Sequence, residues 1–356
     1  MTALRKAVVG CVLPTLVAIA PAATAQTQST ARPETEKAVE QPVDLTEIPG
    51  AISRLMRQYH YDPSVQSDPE YLAIEQKVGD IANSVATRSE FVAAFNKAWR
   101  EGPFSHVRLS VARMNAAEMA AYVDTIRIGG GGAILDWRDD IAVLTVKTMM
   151  GLDTIEEIDA AFLEIAKRPT RALIIDLREN EGGAFAVRPL VGHVIDTAVL
   201  GGVFVSRKWS SEHESYPTRQ EVEAVEPWRG WSVKAFWHDL QTDPMIRMQI
   251  EPSEPGFEGP VYVLTSSKTA SAAELATDAL AASGRAIIVG EQTAGEMLSQ
   301  TMFDLPQGLQ LALPIGDYYA FHSGRIEGNG VPPHISVKAE EAMEKALSLI
   351  RKSHNE

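Results

Sequence analysis

Apolar positions change their period along the chain. From Leu45 to about Arg100 they recur at helical spacing: Ile52, Leu55, Met56 and Tyr59 share one face, and Phe91, Ala94, Phe95 and Trp99 another. Ser89, ahead of Glu90 and Phe91, predicts a helix start. A small helical domain over residues 45–110 is expected. From Ala133 short apolar runs alternate with amphipathic stretches. Ala133–Trp137 and Ile141–Val146 flank Arg138, Asp139 and Asp140 and predict a hairpin. Thr154–Lys167 predicts a helix with Ile155, Ile158, Phe162 and Ile165 on one side. Strands are expected at Arg171–Leu177, Gly202–Val205, Val261–Leu264, Arg285–Val289 and Leu309–Ile315. A helical pattern with Leu275, Ala276, Ala279 and Leu280 begins at Ser271 and stops at Gly284, and Ala339–Ile350 predicts a closing helix. This alternation predicts an α/β core over residues 133–350.

Two stretches interrupt the pattern. Residues 210–255 are polar and broken, yet hold Trp228, Trp231, Phe236 and Trp237. They read as a lid or substrate wall, or as a local hydrophobic cluster. Gly129–Gly132 reads as a flexible connection, because no Lys-Ser/Thr follows to make a phosphate loop.

Composition narrows the classes. Of 356 residues, 45% are hydrophobic and 22% charged, an ordinary globular balance, and the net charge of −14 argues against nucleic acid or an anionic membrane surface as partner. Residues 1–25 read as a signal peptide: Arg5 and Lys6, an apolar Ala7–Ile19, then Ala23-Thr24-Ala25 before Gln26. The apolar run is short for a membrane span, so no membrane insertion is expected after cleavage. Residues 26–44 read as a disordered leader. The single cysteine, Cys11, would leave with the signal; Val9-Gly10-Cys11 precedes the apolar run instead of ending it as a lipidation signal would. A periplasmic or secreted protein without disulfides is expected.

The chemistry centres on Ser271. A serine between a strand and a helix lies beside unpaired backbone N–H groups, where the amide of Ala272 could face an oxyanion. On this stretch alone a plain helix cap is the more ordinary role for such a serine. The string TASAAE, its apolar helix and the following GRAIIVGEQTAGE resemble the nucleophile region of the tail-specific (carboxyl-terminal-processing) serine proteases and of their relatives, the tricorn protease core and the interphotoreceptor retinoid-binding protein. The resemblance implies that Ser271 is the nucleophile. The lysine that serves as base in the tail-specific branch is replaced by Glu296.

In the tricorn-like branch a Ser-His pair supplies the base, and Ser105 and His106 match it. The turn Asp176-Leu-Arg-Glu-Asn-Glu-Gly-Gly183 resembles the family's oxyanion turn, which implies that Gly182 or Gly183 donates an N–H. Ser323–Pro333 resembles the closing motif, in which Glu327 completes the set and His334 stands where an aspartate is usual. The implied fold is the ββα-superroll shared with ClpP and crotonase-type enzymes. The two dozen or so residues between Ser110 and Ile134 are too few for the PDZ module of the tail-specific branch.

The resulting expectation is an exported serine peptidase acting on peptides or unfolded proteins, with catalytic Ser271, His106, Glu327 and Ser105, an oxyanion hole from Gly182, Gly183 and Ala272, and no cofactor or metal. A non-catalytic carrier of apolar ligands and an esterase on the same fold are the alternatives. No H-E-x-x-H string is present. A histidine base should titrate at roughly pH 6–7, with Glu327 raising its pKa. Lys268, the rival amine, is expected to face solvent.

Overall fold

Three helices open residues 40–352, the part of the chain that the computed structural model describes. The expected signal peptide and the leader up to residue 39 lie outside the described residues. α1 (Ile48–Tyr59) carries a proline in its first turn, where a missing N–H forfeits no helix bond. α2 (Pro69–Ser84) starts at Asp68, whose carboxylate accepts the Glu70 and Tyr71 N–H groups. α3 (Arg88–Arg100) starts at Thr87, not at Ser89, because Thr87 and Glu90 form a reciprocal capping box. Met56, Ile74, Phe91, Phe95 and Trp99 bury together, and the same cluster takes in Leu309, Leu311 and Leu313. The helices are therefore seated on a sheet instead of standing apart.

β1 (Arg108–Val111) and α4 (Ala116–Val123) follow. The glycine run that reads as a flexible connection is pinned. Asp153 accepts the N–H groups of Ile128, Gly129 and Gly130, and Glu157 those of Gly131 and Ala133. Without side chains, consecutive amides can wrap a carboxylate in this way. β2 (Ala133–Arg138) and β3 (Ile141–Val146) make the expected hairpin, and α5 (Leu152–Ile165), β4 (Ala172–Asp176), α6 (Val187–Gly192) and β5 (Val199–Ser206) come next. The 210–255 stretch is ordered: α7 (Arg207–Glu212), α8 (Arg219–Glu223), α9 (Val233–Thr242) and β6 (Met245–Ile250). The chain ends with β7 (Val261–Thr265), α10 (Ala272–Ala282), β8 (Ala286–Gly290), β9 (Ser299–Leu305), β10 (Leu309–Ala320), β11 (Gly324–Arg325), β12 (Ile335–Ser336) and α11 (Ala342–Lys352).

Two sheets result, a mixed α/β architecture. One runs β12-β8-β7-β4-β3-β2, parallel except for the hairpin. Its central strands are continuous apolar runs because both faces are covered. Leu173, Ile175, Val263 and Ile288 pack with α5, α6 and α10, while Ile174, Tyr262, Leu264 and Val289 pack under α11. The other runs β1-β10-β5-β6, with β9 and β11 also paired to β10. β10 spans 12 residues, well past the expected Ile315. Arg108 pairs with Ala312, and Arg325 with Tyr319. These registers run Ser105-His106, just ahead of β1, and Glu327, just after β11, toward the same middle stretch of β10. Among the described residues no helix is long and apolar enough to cross a membrane.

Candidate active site

The corner between β7 and α10 is held from the turn after β4. The Thr269 hydroxyl donates to the Leu177 carbonyl (2.8 Å), and the Ala270 N–H to the Asn180 carbonyl (3.0 Å). Ser271 follows at φ 55°, ψ −122°, a positive φ that is uncommon outside glycine. Such strain, of order 1–3 kcal/mol, characterises a serine turned outward on a strand-to-helix corner. The Ser271 backbone N–H donates to Glu274 Oε2 (2.9 Å).

Glu274 was not singled out by sequence reasoning, although the Ser-x-x-Glu spacing of a capping box marks it. Its side chain is fully buried and also accepts the Thr293 hydroxyl (2.6 Å) and the N–H groups of Gly295 (2.7 Å) and Glu296 (2.9 Å). Burial pushes its pKa up, against these hydrogen bonds. One carboxylate thus fixes both the serine and the loop where the tail-specific lysine would stand.

Gly182 backs directly onto the serine. A Cβ there would lie 2.7 Å from Ser271 Cβ and 2.8 Å from the Ala270 carbonyl oxygen, and φ is +96°. Of the two candidate oxyanion glycines, Gly182 already donates its N–H to Asn180 Oδ1 (2.8 Å). Asn180 is fully buried and anchored through Nδ2 to the Val146 carbonyl (3.0 Å). The N–H groups of Gly183 and Ala272 have no acceptor among the described residues.

The second half of the site comes from the loop before β1. The Ser105 hydroxyl donates to Glu327 Oε1 (2.6 Å), and His106 Nδ1 lies 2.9 Å from Ser105 Oγ. Glu327 Oε2 accepts the N–H groups of Met297 (2.7 Å) and Leu298 (3.2 Å). The serine has one proton, given to the carboxylate, so its oxygen accepts from Nδ1–H. That assigns the tautomer from the network and leaves a lone pair on Nε2. The side chains of His106 and Glu327 are only 7% and 9% exposed. Burial lowers the His106 pKa, with Glu327 and Asp317 opposing, so the net shift is downward and not the increase expected from Glu327 alone. No hydrogen bond joins the His106 ring to the Ser271 hydroxyl among the described residues.

Asp317 lies behind this chain, its side chain 1% exposed; its Oδ2 accepts from Tyr216 (2.6 Å) and Arg325 Nε (2.7 Å), and Arg325 Nη2 reaches the Tyr61 hydroxyl (3.2 Å). Lys268 pairs with Glu179 (2.6 Å) on the surface, which raises its pKa and keeps it protonated, the opposite of what an amine base requires. His334, where an aspartate is usual, accepts the Ile288 N–H at Nδ1 (2.9 Å).

Comparisons place this chain among known proteins. A 184-residue stretch, 52% of this chain, is 42% identical to the carboxyl-terminal-processing protease of Picosynechococcus sp.. The chain spans about a third of that relative's length (36%). Among solved structures, a lipoprotein from Streptococcus agalactiae superposes with a TM-score of 0.57 at 16% identity, over 89% of this chain and 99% of that one. The photosystem II D1 C-terminal processing protease gives 0.51 at 16% identity, over 84% and 94%. These two likenesses establish the α/β fold. The family model for peptidase family S41 matches residues 140–337, more than half the chain, and the chain belongs to that family.

Proposed function

We propose that the chain is a serine-type peptidase acting on peptides or unfolded proteins, with Ser271 as nucleophile and His106 as base. The observation that carries this reading is the hydrogen-bonded chain Glu327–Ser105–His106, which leaves Nε2 free to accept a proton. Ser271 Oγ bonds to the scissile carbonyl carbon and gives its proton to Nε2, and the carbonyl electron pair moves onto oxygen. The N–H groups of Gly183 and Ala272 receive that charge; Gly182, whose N–H is engaged by Asn180, shapes the hole instead of lining it. Collapse expels the amine, which takes the proton from His106, and water repeats the cycle on the acyl-serine. Contact between His106 and Ser271 is completed with substrate bound, as catalytic hydrogen bonds often are. Glu327 orients Ser105 and favours the imidazolium that forms. Residues 1–25 would direct export to the periplasm or beyond.

The test is labelling with a fluorophosphonate and cleavage of an unfolded protein such as reduced casein. Wild-type protein should label at Ser271 and cleave; Ser271→Ala should do neither, apart from residual turnover through binding and the oxyanion hole. Labelling that persists in Ser271→Ala overturns the assignment. Ester hydrolysis with no peptide cleavage would favour the esterase reading.

A further inference from the structure

We propose that Arg188 and the rings around it form a subsite for a carboxylate of the substrate, a reading that rests on the peptidase proposed above. Arg188 lies in α6, five residues beyond Gly183. Its backbone is therefore at most about 18 Å along the chain from that glycine. A bound peptide in extended form advances about 3.3 Å per residue, so the Arg188 backbone lies no farther from that glycine than about five or six residues of an extended substrate would reach.

The guanidinium is framed by three aromatic rings. Its carbon lies 5.7 Å from the Phe185 centroid, 5.1 Å from Trp228 and 4.9 Å from Trp231. Phe185 stacks on Trp228 and meets Trp231 edge-on, each at 5.8 Å. The frame opens to solvent, since Trp231 is 54% exposed. Two of the five guanidinium N–H groups are used, on the carbonyls of Arg229 (3.4 Å) and Trp228 (3.1 Å). No carboxylate bonds to the group among the described residues. Elsewhere in the chain Arg178 and Arg325 each meet an aspartate at 2.7 Å.

Ring faces hold a cation but accept none of its in-plane hydrogen bonds. Partial burial and the neighbouring Arg229 both disfavour the charge at Arg188, and Arg229 is itself paired with Glu251. A planar carboxylate arriving in the open sector would supply the missing charge and accept the unused N–H groups in parallel. Rings and guanidinium together suit a peptide whose carboxylate lies beside an apolar side chain.

The Ser271→Ala protein permits binding to be measured without turnover. The probes are one apolar peptide as free acid, the same peptide as terminal amide, and the amide peptide carrying Glu or Gln at successive positions. Affinity is read by calorimetry and by quenching of tryptophan fluorescence, since Trp228 and Trp231 adjoin the site. A carboxylate-bearing peptide should bind roughly tenfold or more tightly than its amide counterpart, the range for hydrogen bonds to charged groups. Preference for the free acid identifies a terminal carboxylate, and preference for the Glu peptide an acidic side chain. Adding Arg188→Met should abolish the preference, and Arg188→Lys, which keeps the charge without the fork, should weaken it. Equal binding of acid and amide forms, or a preference that survives Arg188→Met, overturns the proposal. If Arg188→Met fails to fold, an undiminished preference in Arg188→Lys does so. Failure of the peptidase reading registers separately, as absent labelling and cleavage in wild-type protein.

Discussion

His106 carries the pH dependence of the proposed reaction. Its imidazole must be neutral to accept the Ser271 proton, and burial favours the neutral form. The acid limb of kcat/KM should therefore have its midpoint below the roughly 6.5 of a free histidine. Glu327→Gln removes a charge that favours the imidazolium, so the midpoint should move lower still, while turnover falls by at least about 10²-fold as the orientation of Ser105 is lost. A midpoint above that of free histidine, measured from a pH series of kcat/KM, would mean that Glu327 and not burial governs the ring. At this scale the sequence exposes residue types but not their meeting. Ser105 and Glu327 are 222 residues apart, and no periodicity connects them; only the resemblance in their flanking motifs does. Glu274 and Asn180 were readable in kind, one from its capping spacing and the other from its place in a strand-to-glycine turn. Their roles depend on which distant amides reach them.

At the scale of elements, the site is a junction of two turns packed without slack. Gly182→Ala would set a methyl 2.7 Å from Ser271 Cβ at a φ of +96°. Left-handed strain of about 1–2 kcal/mol and overpacking of about 1–3 kcal/mol should act together. Loss of fluorophosphonate labelling, with the circular dichroism of the fold retained, is the expected result; wild-type labelling would show that the turn can retreat. Glu274→Gln presents an NH₂ to a site built from donors, and should lower stability by about 1–3 kcal/mol in denaturant unfolding as well as slowing turnover. Elements whose burial is one-dimensional were legible: the runs at β4 and β7 lie between two covered faces and read as apolar throughout. β6 and β9 were not, because Arg247, Gln249, Gln300 and Asp304 dilute the pattern in strands of the β10 sheet. The start of α3 was misplaced by two residues because Thr87 and Ser89 are both competent caps, and only the reach of Glu90 decides between them.

Across the whole molecule, the Asp317–Arg325 pair joins β10 to β11, with Tyr61 and Tyr216 attached from two other parts of the chain. Arg325→Ala would leave Asp317 buried without its cation, which should destabilise the protein by about 3–5 kcal/mol in denaturant unfolding. A change below 1 kcal/mol would mean that Asp317 takes up a proton readily enough to dispense with its partner. The export reading has its own check: amino-terminal sequencing of protein recovered from the periplasm of an expressing bacterium should begin at Gln26. The separation of Ser105 from Glu327 has one more effect. Synthesis delivers the imidazole well before the carboxylate, so no nascent chain that ends before residue 327 can assemble the relay. On the peptidase reading proposed above, a polypeptide that ends before residue 327 would leave its neighbours uncut, and the order of the residues alone would hold the activity back until then.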